Sequence, residues 1–198
     1  MTDSQALIVV DVQHDFLPEG ALAVPQGFEV IGPITKLAGE FRHIAATQDW
    51  HPAVHFSFAS RHGKSPFEQI ETDGGPQVLW PDHCIQDTPG AQIHPEILSL
   101  KPSVLIRKGT NPETDSYSAF FDNLKKHQTP LDSWLREKNI RRIVVAGLAT
   151  DFCVKFTVLD GLSLGYSVQV FLPGCRGINP DLSTDLKEME RAGAEFIR

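Results

Sequence analysis

Cysteine is scarce: three residues, at positions 84, 153 and 175, in a chain of 198. An odd count, with no spacing that resembles a zinc ribbon, argues against a disulfide framework and for reduced thiols. Lys and Arg form no run beyond pairs such as Arg141-Arg142, and the formal net charge is -7. The basic face that a phosphate backbone needs is therefore missing. No stretch reaches the ~18 consecutive apolar residues of a membrane span. The opening MTDSQALIVVDVQHDF has no basic n-region and too short an apolar run for a signal peptide. Together these absences predict a cytoplasmic protein with a small-molecule substrate and with no nucleic-acid or membrane partner. There is also no repeat, low-complexity tract or dividing linker, so residues 1–198 are expected to form a single domain. The sequence leaves open whether the chain forms a homo-oligomer.

With 41% hydrophobic residues, a chain of this length can bury a full core without covalent staples. Three apolar runs, 6–10, 143–146 and 168–172, are continuous rather than alternating, the pattern of strands covered on both faces. Weaker strands are expected at 43–48, 104–108 and 195–197, and helices at 33–42, 130–138, 152–164 and 182–192. The alternation predicts an α/β fold, doubly wound, with a mostly parallel central sheet and helices on both faces. Pro33 is expected in a helix's first turn, where its missing N–H costs little. Regular periodicity disappears from 50 to 100, a stretch with six prolines and five of the eight histidines. A structureless loop this long is usually functional.

Open parallel sheets place their sites at the carboxyl ends of the strands. The predicted strands end on Asp11, Asp49 and Lys108, and the fourth leads into Cys153. Taken singly, each has a plain reading. A cysteine in an α/β protein is more often a small buried apolar residue, Asp11 could cap a turn, and Lys108 could be a solvated surface lysine. Their convergence on one sheet edge favours chemistry. Cys153 falls in the first turn of a predicted helix, where free N–H groups and the helix dipole are expected to lower a thiol pKa and to stabilise an oxyanion.

In the segment QDWH, Asp49 and His51 are two residues apart, so both can face one cation if the chain is extended there. His83 is the preferred third ligand, with His55 and His94 as competitors, and Cys84 is read as a bystander. An Asp/His/His set completed by water suits Zn, Mn or Fe.

Five blocks carry a resemblance: VVDVQHDFLPEGALAV, TQDWHPAVHFSFAS, LWPDHCIQDTPGAQIHP, IRKGTNPETDSYSAF and VVAGLATDFCVKFTVLDG. With them the chain resembles the nicotinamidase branch of the isochorismatase-like cysteine hydrolases, from Leu7 to Phe196. The resemblance implies a catalytic triad of Asp11, Lys108 and Cys153, and one divalent ion, zinc by preference, on Asp49, His51 and His83. It implies a cis peptide between Leu148 and Ala149, with the amides of Ala149 and Cys153 facing an oxyanion. Phe16, Leu22, Trp80 and Tyr117 match positions lining the family's aromatic pocket. In some relatives a histidine at the position of His55 reaches the metal. The implied activity is hydrolysis of nicotinamide to nicotinate and ammonia, within pyridine nucleotide metabolism. The alternatives are a cysteine amidase for another small amide or carbamoyl group, and a non-catalytic metal-binding regulator on the same fold.

Overall fold

The computed structural model describes residues 4–72 and 75–198. Met1 to Asp3, which open the segment weighed as a leader, lie outside the described residues. Six strands form the central sheet: β1 (Gln5–Val10), β2 (His43–Asp49), β5 (Val104–Lys108), β6 (Arg142–Leu148), β7 (Ser167–Arg176) and β8 (Glu195–Ile197). Their order is β5-β2-β1-β6-β7-β8, and every pairing is parallel. The strand order reverses between β1 and β6, the topological switch point at which ligands bind in such sheets.

Continuous burial explains the continuous apolar runs. Ala6 to Val10 of β1 and Ile143 to Leu148 of β6 are buried without a break. Helix α1 (Ile31–Ala38) packs on β7 and α3 (Pro95–Ser99), whereas α5 (Lys155–Ser163) packs on β6, β7 and α6 (Ser183–Ala192). Right-handed crossovers running in opposite directions from the switch point put α1 and α5 on opposite faces. Helix α4 (Leu131–Glu137) leads from β5 back to the sheet's centre. No helix among the described residues is long and apolar enough to cross a membrane.

Several boundaries differ from expectation. Helix α1 starts at Ile31, behind a 3-10 turn, and ends at Ala38. Pro33 lies in its first turn as expected. Strand β7 starts one residue before the expected 168–172 segment and runs four residues past its end, because its ladder resumes after an irregularity: the register steps from Val145↔Val170 to Gly147↔Cys175. Pro173 lies within the skipped stretch and has no N–H to donate to the ladder. The region from 50 to 100 is not structureless. It contains α2 (Ala59–His62), the antiparallel pair β3 (Gln69–Thr72) and β4 (Gly75–Val78), and α3.

Candidate active site

The sheet's carboxyl edge collects the four side chains singled out above. Asp11 follows β1 directly and has a left-handed backbone, φ 47°. Its Oδ1 accepts a hydrogen bond from Thr47 Oγ1 at 2.5 Å, and its N–H donates to the same Oγ1 at 3.0 Å. Asp49 and Lys108 end adjacent strands and are register partners. Lys108 Nζ lies 2.8 Å from Asp11 Oδ2 and donates to Asp49 Oδ1 at 2.5 Å, to Ser116 O at 3.0 Å and to Cys153 Sγ at 3.4 Å. A lysine side chain with no solvent exposure is tenable only because two carboxylates offset its charge. Gln13, fully buried, fixes Asp49 from behind: it accepts the Asp49 N–H at 2.7 Å and donates to the Asp49 carbonyl at 2.8 Å.

This packing sets the protonation states. Burial would lower the Lys108 pKa, but Asp11 and Asp49 carry it well above an ordinary amine. For Asp49 burial acts upward, and Lys108 and His51 outweigh it, holding the carboxyl below the usual carboxylate range. For Asp11 burial outweighs the opposing pull of Lys108, and its pKa is raised. Two neighbouring carboxyls thus diverge, the pattern of a fixed anion beside a group able to exchange a proton. The expectation of a lowered thiol pKa is corrected. Burial raises the Cys153 thiol well above its ordinary value, with Asp11 and Asp49 adding to that and Lys108 opposing. The expected helix start is also different, because Cys153 lies in a π-helical turn, Thr150–Val154, ahead of α5. Cys153 therefore rests as a thiol and needs a base. Asp11 is at hand, one of its oxygens lying within 4.8 Å of Sγ. The Leu148–Ala149 peptide is cis, as the resemblance implies.

Beside this cluster, Asp49, His51 and His83 each direct one ligand atom into a common space, all within 4.8 Å of one another. His51 Nδ1 donates to Gly109 O at 2.9 Å and His83 Nδ1 to Pro81 O at 2.8 Å, so each ring presents Nε2. Such backbone anchors fix tautomer and orientation in metal-binding histidines. Only glycine allows this approach at 109, where φ is +64° and a Cβ would lie 2.3 Å from the His51 ring. The buried Nε2 of His51 has no hydrogen-bond partner among the described residues. Burial, reinforced by His51, pushes the His83 pKa down to about 4, which leaves it neutral and able to ligate. These donors fit a divalent ion. His55 is close, its ring centroid 4.1 Å from that of His51, and it forms a second possible donor group with His51 and Asp115. His94 is not brought to the site; it packs against His14 and Phe28. Cys84 is a buried thiol raised well above its ordinary pKa, chiefly by burial.

Phe16, Leu22, Trp80 and Tyr117 line a narrow pocket together with Asp49, His83, Ala149 and Cys153. The sequence reading missed Phe152, Ile178 and Asp115, which complete the lining. It missed Gln13 and Thr47 as well. Thr47 shares a strand face with Asp49 by the two-residue alternation, a signal that could have exposed it. A larger groove lies behind Tyr117 and Asp115, near β3 and β4, but contains neither thiol nor imidazole.

A thiol, a carboxylate and an ammonium thus meet at the switch point of a parallel α/β sheet, groups able to carry out cysteine-dependent hydrolysis. The Isochorismatase domain profile matches residues 5–198, and the chain belongs to that family. It is 49% identical to the nicotinamidase of Escherichia coli K12, the match covering 96% of this chain and 92% of that one. A solved Acinetobacter baumanii nicotinamidase superposes with a TM-score of 0.96 at 43% identity, covering 100% of this chain and 97% of that one. A Pyrococcus horikoshii pyrazinamidase solved in complex with zinc gives 0.80 at 35% identity, covering 98% and 99%.

Proposed function

We propose that this protein hydrolyses nicotinamide to nicotinate and ammonia through a thioester on Cys153. The observation that carries the reading is the buried Lys108 ammonium in simultaneous contact with Asp11, Asp49 and Cys153. An apolar cavity faces the thiol, and the named relatives support the choice of a pyridine carboxamide.

Asp11 takes the Cys153 proton as sulfur attacks the carboxamide carbon, and the backbone N–H groups of Ala149 and Cys153 receive the oxyanion. The protonated Asp11 then gives its proton to the departing nitrogen, which leaves as ammonia when the carbon–nitrogen bond breaks. Asp11, ionised again, deprotonates a water that attacks the thioester, and nicotinate leaves as the sulfur recovers a proton. A raised Asp11 pKa suits a group that must act as base and acid by turns. Lys108 supplies positive charge beside both Asp11 and Cys153 throughout. A divalent ion on Asp49, His51 and His83, zinc by preference and Fe or Mn as the alternatives, supplies a Lewis acid for the pyridine nitrogen when bound. The pocket aromatics hold the ring so that its amide meets the thiol.

The test is ammonia release from nicotinamide by the purified protein, beside ureidoacrylate and an N-carbamoyl amine. Nicotinate and ammonia in equal amounts are expected, with little turnover of the other two. Preferential turnover of a carbamoyl substrate would overturn the assignment, and inertness toward all three would favour a binding protein.

A further inference from the structure

Asp151 lies two residues before Cys153, inside the same π-helical turn, and is 2% exposed. Its carboxylate is bonded to the loop that follows β7. Oδ1 accepts the Ile178 N–H at 3.0 Å; Oδ2 accepts the Asn179 N–H at 2.9 Å and Asn179 Nδ2 at 2.8 Å. All three bonds bring N–H to oxygen, and such bonds to an ionised acceptor are short and strong. The loop is pressed close against the carboxylate: a Cβ on Gly177 would lie 3.0 Å from Asp151 Oδ1 and 2.4 Å from Leu182 Cδ2. Ile178, one of the residues tied down, forms part of the pocket wall with Phe16, Leu22, Phe152 and Cys153.

We infer that Asp151 is a positioning residue for substrate selection: it ties the nucleophile's turn to the Ile178 loop and so fixes the width of the pocket at the ring. The carboxylate is specifically required, because all its partners donate. Asparagine would offer one acceptor atom and set an NH2 against a backbone N–H. The inference rests on the proposed nicotinamide reading for its substrates but not for its geometry.

The test compares wild type with Asp151→Asn, Ile178→Ala and Asn179→Ala, each checked for a wild-type near-ultraviolet circular dichroism spectrum. Two ratios are measured: kcat/KM for nicotinamide over 5-methylnicotinamide, and Cys153 labelling by iodoacetamide over the bulkier N-ethylmaleimide, located by peptide mass. Both ratios should fall about tenfold in Asp151→Asn and Ile178→Ala, the scale on which an apolar pocket discriminates one methyl group. Asn179→Ala, which keeps the two backbone donors, should lower them less. A residue with only a structural role would slow both members of each pair equally, so unchanged ratios in folded Asp151→Asn overturn the inference. If Asp151→Asn does not fold, unchanged ratios in Asn179→Ala do so. Labelling needs no turnover: a wild type inert toward nicotinamide refutes the proposed substrate, and the labelling ratio still decides the role of Asp151.

Discussion

Asp49 and Lys108 are register partners across β2 and β5, and Lys108 Nζ reaches Asp49 Oδ1 at 2.5 Å while Asp49 Oδ2 lies 3.5 Å from His51 Nε2. One carboxylate thus joins the proposed triad to the proposed metal group. Asp49→Ala should abolish stoichiometric metal binding and also uncover part of a buried ammonium, costing about 3 kcal/mol of stability. Thermal melts of the variant and of chelated wild type, with metal content measured, separate the two effects. Equal melting temperatures would show that the ion pair does not stabilise the fold.

Thr47 bears on the pH dependence. Burial raises the Asp11 pKa, and the Thr47 hydrogen bond opposes that rise by favouring the ionised form. A base must be ionised, so kcat/KM should climb with pH through a pKa above the ordinary 3.8 of an aspartate. Thr47→Val removes the opposing bond; the acid limb should move to higher pH, and kcat/KM below the plateau should fall about tenfold. Thr47→Ser should restore both. An acid limb that stays in place in Thr47→Val would remove Thr47 from the control of Asp11.

Lys108 has four polar neighbours disposed around a compact ammonium. Lys108→Ala should lower the rate by orders of magnitude, and Lys108→Arg should not restore it, because a planar guanidinium cannot take the same place. Steady-state kinetics on folded Lys108→Arg decides this: near-normal turnover would mean that any positive charge suffices.

The donor group of Asp49, His51 and His83 shares Asp49 with the thiol's cluster but leaves out the thiol itself, and this predicts that the ion positions substrate and leaves acyl chemistry to the proposed triad. Benzamide, which lacks the ring nitrogen, should be a far poorer substrate than nicotinamide in metal-loaded protein. Chelation should narrow the gap by lowering kcat/KM for nicotinamide specifically. His83→Ala should mimic chelation, and His94→Ala, remote from the donor group, should not. Equal losses for both amides would point to a metal-activated water.

How much was legible follows from how each feature is encoded. Continuous apolar runs disclosed β1 and β6, and the rule that sites form at carboxyl strand ends then placed Asp11, Asp49, Lys108 and Cys153 together. Spacing alone left His55, His83 and His94 in competition, because the fold of the loop from 50 to 100 chooses among them. Its hairpin and short helices are set by tertiary contacts rather than by a repeating pattern. The Cys153 pKa was misjudged for a related reason: a helix-end argument is local, whereas burial and the neighbouring carboxylates that raise this thiol come from distant strands. Gln13 and Asp151 were missed because a buried polar side chain aimed at backbone groups leaves no periodic trace.

The most direct test of the account is the site of the acyl group. Acid-quenched protein turning over nicotinamide, digested and analysed by peptide mass, should carry a pyridine-3-carbonyl group on the Cys153 peptide. Cys84 and Cys175, both buried thiols with raised pKa, should stay unmodified. Acylation of Cys84 or Cys175 with Cys153 free would contradict the proposed chemistry.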